Sequence, residues 1–294
     1  MCPNASDPKS CSYPSSSIGN GINRYRDTKK ERSWDKLLIN LYKKTSGLLL
    51  KKIPKPGVSY TEFFDILLLL RKKTVSKTTI RKEFINYLEE WELNNHHKFI
   101  VDKIKNYNCP ILTTNFDELL PKSVDAKVFY TVENRQKGFS DFYPWQCYYS
   151  NKKLRSNFDG FAIWFINGMI KYPRSIKLGL GDYLRNFSRA NDLLPYKRKK
   201  KEVFVGKNSW LNHFFNKSLF IFGLGLEEQE IFIRWLLLQR GAYFNLNPRK
   251  RKQGWYIYND NIDKGKEFFL KSVGIEPIKF INKKYLYEDF WKSL

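Results

Sequence analysis

The strongest constraint on this chain is a series of short apolar runs, each closed by a glycine or a small polar residue. Residues 110–114, 127–132, 162–166 and 219–222 read as strands, with turns such as Asn167-Gly168 and Gly223-Leu224-Gly225 behind them. Two more strands follow, at 255–258 and 278–281, and helical patterns at 227–240 and 264–273 alternate with them. Strand–helix alternation of this kind predicts an α/β fold, a Rossmann-like, mostly parallel sheet with helices on both faces. In such sheets ligands bind beyond the carboxyl ends of the strands. The turns are therefore where function is to be sought.

Upstream the period changes. Trp34, Leu37, Leu38 and Leu41 recur at helical spacing, which predicts a helix from 34 to about 50, ended by Pro54, Pro56 and Gly57. Further helices are expected at 60–71, 79–90 and 95–107, so residues 34–107 form a small helical insert. Residues 1–17 show no periodicity and are expected to be irregular. The remainder, 18–294, is expected to be a single domain.

Composition narrows the classes. No apolar run approaches the roughly 20 residues that a membrane-spanning helix needs, and 63–70 is the strongest candidate. Without a membrane span or a secretory signal pattern, the expectation is a cytoplasmic protein. The four cysteines, Cys2, Cys11, Cys109 and Cys147, form no C-x-x-C pair, and there are three histidines. No metal site and reduced thiols are expected. The formal net charge is +24, with dense basic runs at 197–201 and 249–252. Such a surface attracts polyanions. Yet no nucleic-acid-binding motif accompanies it, and charge runs in loops are usually just solvated.

Four segments carry candidate chemistry. Gly19-Asn20-Gly21-Ile22-Asn23-Arg24 combines a glycine pair, which lets backbone approach a phosphate, with an arginine that can bind it. Thr114 ends a predicted strand and Asn115 and Asp117 lie just past it; an Asx turn with Asp117 near a helix start also explains them and is compatible with a binding role. Asn167-Gly168 and Gly223-Leu224-Gly225 close two further strands, the latter also readable as a plain β-turn-α connection.

Taken in order, these segments resemble the sirtuin-like superfamily, in particular its bacterial NAD+-consuming immune effectors. The likeness comprises Gly19–Asn23, Ser33-Trp34, Thr113-Thr114-Asn115-Phe116-Asp117, Pro173-Arg174-Ser175-Ile176, Asp182-Tyr183, Ser209-Trp210, Phe214-Phe215, Gly223–Leu226, Glu228–Glu230 and Trp235-Leu236-Leu237. It spans about residues 18 to 240. What the resemblance implies is an NAD+ ligand and cleavage of its nicotinamide–ribose bond. Gly19, Asn20, Gly21, Asn23, Arg24, Thr114, Gly168, Gly223 and Gly225 would bind the dinucleotide, and Asn115, Asp117 and Asn167 would serve the reaction. The family's catalytic histidine precedes the glycine of the third segment, where this chain has Asn167. The zinc-binding cysteines of the deacetylase branch are absent, which argues against deacetylation.

Three readings follow in order. The first is an NAD+ glycohydrolase of bacterial antiviral defence, acting alone, as a homo-oligomer or with a partner defence protein. The second is a catalytically degenerate sensor of NAD+ or ADP-ribose. The third is a basic nucleic-acid-associated protein.

Overall fold

A strand of three serines and one isoleucine stands in the middle of the sheet. In the computed structural model, which describes residues 14–28, 31–54, 57–132, 139–155, 159–195 and 204–294, strand β1 is Ser15–Ile18. It pairs in parallel with β2 (Ile111–Thr113) on one side and with β6 (Leu219–Phe222) on the other. Residues 15–17, expected to be irregular, are thus strand. Extra ladder bonds fix the entry, Ser15 N–H to Ser218 O at 2.8 Å and Ser16 N–H to Pro110 O at 2.9 Å. Pairing on both edges overrides the weak strand preference of serine.

The other strands are β3 (Lys127–Tyr130), β4 (Cys147–Ser150), β5 (Ile163–Phe165), β7 (Gly254–Tyr258) and β8 (Glu276–Lys279). Their order across the sheet is β3-β4-β5-β2-β1-β6-β7-β8. Only β4 runs against its neighbours. Strands β5, β2, β1, β6, β7 and β8 are parallel, so their C-terminal turns share one edge. After β1 the chain passes first to β2 and later to β6 on the opposite side. That divergence is a topological switch point, and it opens a crevice between the turns.

Both faces of the sheet are covered. Alternate residues of one strand enter different cores: Ile111, Ile163 and Phe222 belong to one, and Leu112, Trp164 and Ile221 to the other. The first is closed by α5 (Asn95–Asn106) and the C-terminal Leu286, Tyr287 and Trp291. The second is closed by α8 (Trp210–Asn216), α9 (Ile231–Leu246) and α10 (Lys264–Ser272), with Ala190 from α7 (Leu180–Leu193). Three helices of the insert, α2 (Trp34–Ser46), α3 (Tyr60–Leu70) and α4 (Lys77–Glu89), make a third core of their own with Phe116, Ile170, Ile176 and Leu178. They sit over the turns after β2 and β5, so the insert roofs the crevice.

Several boundaries differ from expectation. Helix α2 stops at Gly47, whose φ of 77° and N–H bond to Lys43 O form a left-handed cap, seven residues before Pro54; Pro56 lies outside the described residues. Helix α9 starts at Ile231, four residues after the expected 227, because Leu226 adopts φ 50° and residues 227–230 stay outside the helix. Strand β4 and helices α7 and α8 were not expected. Cys109 and Cys147 are free and buried, and burial pushes the Cys109 thiol up to about 12. Cys2, Cys11 and the basic run 197–201 lie outside the described residues. Among those described, no helix is long and apolar enough to cross a membrane.

Candidate functional site

Asn20, Gly21 and Arg24 follow β1, Thr114, Asn115 and Asp117 follow β2, Asn167 follows β5, and Gly223 and Gly225 follow β6. All of them line one cleft of about 360 Å³ at the switch point. Segments separated by up to two hundred residues thus meet on a single face. The insert supplies the roof, with Trp34, Asp35 and Tyr60. Tyr60 donates its hydroxyl to Asp35 Oδ2 at 2.9 Å, and its backbone N–H to Gln229 Oε1 at 3.2 Å. The second bond ties the start of α3 to the turn after β6.

Three of the expected ligand residues are placed differently. Gly19 does not line the cleft: a Cβ there would stand 2.5 Å from Gly223 O. Gly21 does line it, but its own Cβ position is 2.7 Å from Gly223 Cα, and its N–H is engaged by Gly223 O at 2.7 Å. The two glycines therefore let the turns after β1 and β6 interlock, with Gly223 itself at φ 67°. Gly168, at φ 100°, packs directly on the Ser175 backbone and turns the chain away from the cleft. Asn23 is fully buried behind the cleft wall in α1 (Gly21–Arg24). Arg24 is exposed and makes no ion pair among the described residues, which leaves it open to an anion.

The polar residues after β2 divide sharply. Asp117 is buried with both oxygens occupied: Oδ2 accepts from Asn23 Nδ2 at 2.8 Å and Oδ1 from the Leu119 N–H at 3.1 Å. Burial raises its pKa, and those two donors oppose the shift. Asn115 is equally buried, its N–H held by Thr113 Oγ1 at 3.1 Å, yet neither its Oδ1 nor its Nδ2 has a partner. Asn167 Oδ1 is also unpartnered. Buried amide atoms are nearly always hydrogen-bonded, so Asn115 Oδ1 and Nδ2 and Asn167 Oδ1, all on one cleft, can take a ligand or water.

Other lining residues escaped the sequence reading. Lys177 is buried, donates Nζ to Phe142 O at 3.0 Å and lies 4.8 Å from the Tyr143 ring centre. Burial lowers its pKa to about 8, against the pull of Asp182. Glu230 is pushed up to about 7, mostly by burial, with Glu227 adding to the shift. The available signal was the matched motifs: Lys177 follows Ser175-Ile176, and Glu230 lies in the matched acidic segment Glu228–Glu230, to which no site role was given. The lining carries four carboxylates, Asp35, Asp117, Glu227 and Glu230, against two cations, Arg24 and Lys177. A protein of net charge +24 has thus built an acidic cleft. Its basic run at 249–252 stands before β7, at the opposite end of the sheet.

No histidine lines the cleft. His96, His97 and His213 are all buried elsewhere, and His97 and His213 are each lowered to about 3, chiefly by burial. Among the described residues no three His, Cys, Asp or Glu side chains converge as a metal site.

No protein-family model matches the chain, and no curated protein matches it in sequence. The cleft's chemistry is therefore argued from its own side chains.

Proposed function

We propose that the cleft binds NAD+ and hydrolyses its nicotinamide–ribose bond. The observation that carries this reading is the unpaired Asn115 amide together with the unpaired Asn167 Oδ1, at the end of a crevice lined by glycine turns. The acidic lining supports it. NAD+ carries a cationic pyridinium, and loss of neutral nicotinamide leaves an oxocarbenium-like ribose; carboxylates stabilise both. Arg24, at the glycine turn, is open to the diphosphate. The order of motifs shared with sirtuin-like immune effectors points to the same ligand and to a role in antiviral defence.

In the proposed reaction the C1′–N bond breaks and nicotinamide leaves with the electron pair. A water held by Asn115 adds to C1′ and loses its proton, giving ADP-ribose. Because charge develops on the ribose before the water bonds, water needs orientation more than deprotonation, and an amide can orient it. Purified protein is expected to release nicotinamide from NAD+, and Asn115→Ala to abolish release. Absence of both NAD+ binding and release in the intact protein refutes the proposal.

A second reading has a specific observation behind it. Asn167 stands where the related family has histidine, and no histidine enters the cleft. A cleft without that base suits a sensor that binds NAD+ or ADP-ribose unchanged. Calorimetric binding with no nicotinamide release selects it. Nucleic acid is disfavoured in the cleft by the acidic lining, although the basic surface elsewhere remains a separate question of salt-dependent binding.

A further inference from the structure

Behind the cleft wall, two hydrogen bonds run from His97 of the insert through Asn23 to Asp117, and two more hold Asn23 and Asn20 in place. Asn23 Nδ2 uses both its hydrogens, one on Asp117 Oδ2 at 2.8 Å and one on Asn20 Oδ1 at 2.9 Å. Asn20 Nδ2 in turn donates to Arg32 O at 3.0 Å, which fixes the Asn20 amide and confirms its oxygen as the acceptor. Asn23 Oδ1 then meets His97 Nε2 at 3.0 Å. The opposite amide orientation would set Asn23 Oδ1 against a carboxylate and a carbonyl oxygen together, so the network itself assigns the atoms. His97 must therefore donate from Nε2. Its Nδ1 accepts from the Asn94 N–H at 3.1 Å, the start of α5. The neighbouring His96 donates Nε2–H to Ile22 O at 2.7 Å. Two successive histidines of one helix thus grip two successive residues of the turn that follows β1.

We propose that His97 is a positioning residue: its Nε2–H locks the Asn23 amide, and Asn23 presents Asp117 and Asn20 to the cleft in one orientation. This rests on the NAD+ reading for its ligand, but not for its hydrogen-bond pattern. A neutral histidine with one assigned tautomer suits the task, because it offers one donor and one acceptor in a rigid plane. The lock accounts for two histidines in an insert that contributes no histidine to the cleft.

The test uses the full chain with His97→Leu, His97→Gln and Asn23→Ala. Leucine removes the donor; glutamine can replace it with its own amide N–H. NAD+ affinity by calorimetry is expected to fall at least tenfold in His97→Leu and to return to within about threefold of the parent in His97→Gln. Adding His97→Leu to Asn23→Ala is expected to cost little more than Asn23→Ala alone, since both break one link. Equal affinity of His97→Leu and the parent overturns the proposal, as does full additivity of the pair. Nitrogen-15 NMR of the imidazoles gives an answer that needs neither NAD+ nor a folded leucine variant. The His97 ring is expected as the Nε2–H tautomer, not titrating between pH 8 and 5; an Nδ1–H tautomer, or titration near neutrality, overturns it. A parent that shows the tautomer but binds no NAD+ refutes the NAD+ reading and leaves the lock standing.

Discussion

Asn115 and Asp117 are two residues apart on one turn, equally buried, and opposite in their bonding. Asp117 belongs to a saturated wall in which every oxygen and every amide proton has a partner, from Leu119 through Asn23 to His97. Asn115 belongs to an open side, with Asn167, where buried polar atoms have none. An unmade hydrogen bond in a protein interior costs about 1–3 kcal/mol. The wall's hydrogen bonds are made within the protein, while the open side's polar atoms are left for water or a ligand to satisfy. The contrast separates scaffold from ligand-facing groups on physical grounds, without appeal to resemblance.

The largest expected effect falls on the wall. Asp117→Ala leaves one hydrogen of Asn23 Nδ2 and the Leu119 N–H buried without acceptors, and should cost about 2–4 kcal/mol of stability. Urea unfolding checks it. A loss under about 0.5 kcal/mol would mean that Asp117 belongs with Asn115.

Acid should pull the two sides in opposite directions. His97 is neutral in the fold, lowered to about 3 from an ordinary value near 6.5. The unfolded chain binds the proton first, so stability from His97 is intact above about pH 6.5 and is lost as pH falls toward 3. At pH 4.5 the loss is about 2–3 kcal/mol. Glu230, on the cleft side, is raised to about 7. Its buried charge opposes folding above that pH, and the penalty lifts as pH falls through 7 toward the usual carboxylate range. Unfolding series from pH 7.5 to 4.5 should show His97→Gln flattening the acid loss and Glu230→Gln removing the acid gain. Parallel curves for parent and both variants would erase the distinction.

The open side should answer in binding instead. Asn115→Leu fills the space and removes two unpaired polar atoms, so stability should hold or rise by up to about 1 kcal/mol. NAD+ affinity should fall at least tenfold in the same protein. A variant that loses stability along with affinity would show that Asn115 is bonded in the folded state, by water at least.

Much of this division was legible only in part from the sequence. The strand-closing turns were, because apolar period and glycine are local signals: Asn115, Asn167, Gly223 and Gly225 do meet in one cleft. The start of the sheet was not. Ser15-Ser16-Ser17 carries no strand pattern, and it is a strand because β2 and β6 pair with it across separations of about one hundred and two hundred residues. The same holds for His97 and Lys177. Each is an ordinary residue in its own segment, and its role comes from what the fold sets against it, Asn23 for one and the Phe142 carbonyl for the other. The glycines were found for an incomplete reason. Gly19 and Gly21 are required, but by the close approach of Gly223.

That last point yields the smallest and most selective test. Gly19 and Gly225 are both glycines expected to bind the dinucleotide, yet a Cβ on Gly19 would collide with backbone at 2.5 Å, whereas one on Gly225 would meet only side-chain atoms, of Glu227 at 3.4 Å and Glu230 at 3.6 Å. Gly225 is exposed and lies on the cleft. Gly19→Ala must therefore shift backbone and should lower stability by more than about 1 kcal/mol, in the range of overpacked sites. Gly225→Ala should leave stability within about 0.5 kcal/mol, the usual span for surface changes. If a ligand lies against that turn, the added methyl should still weaken NAD+ binding by about threefold. An affinity unchanged by Gly225→Ala would move the ligand away from β6 and toward the Asn115–Asn167 end, and so confine binding to the side whose amides are unpaired.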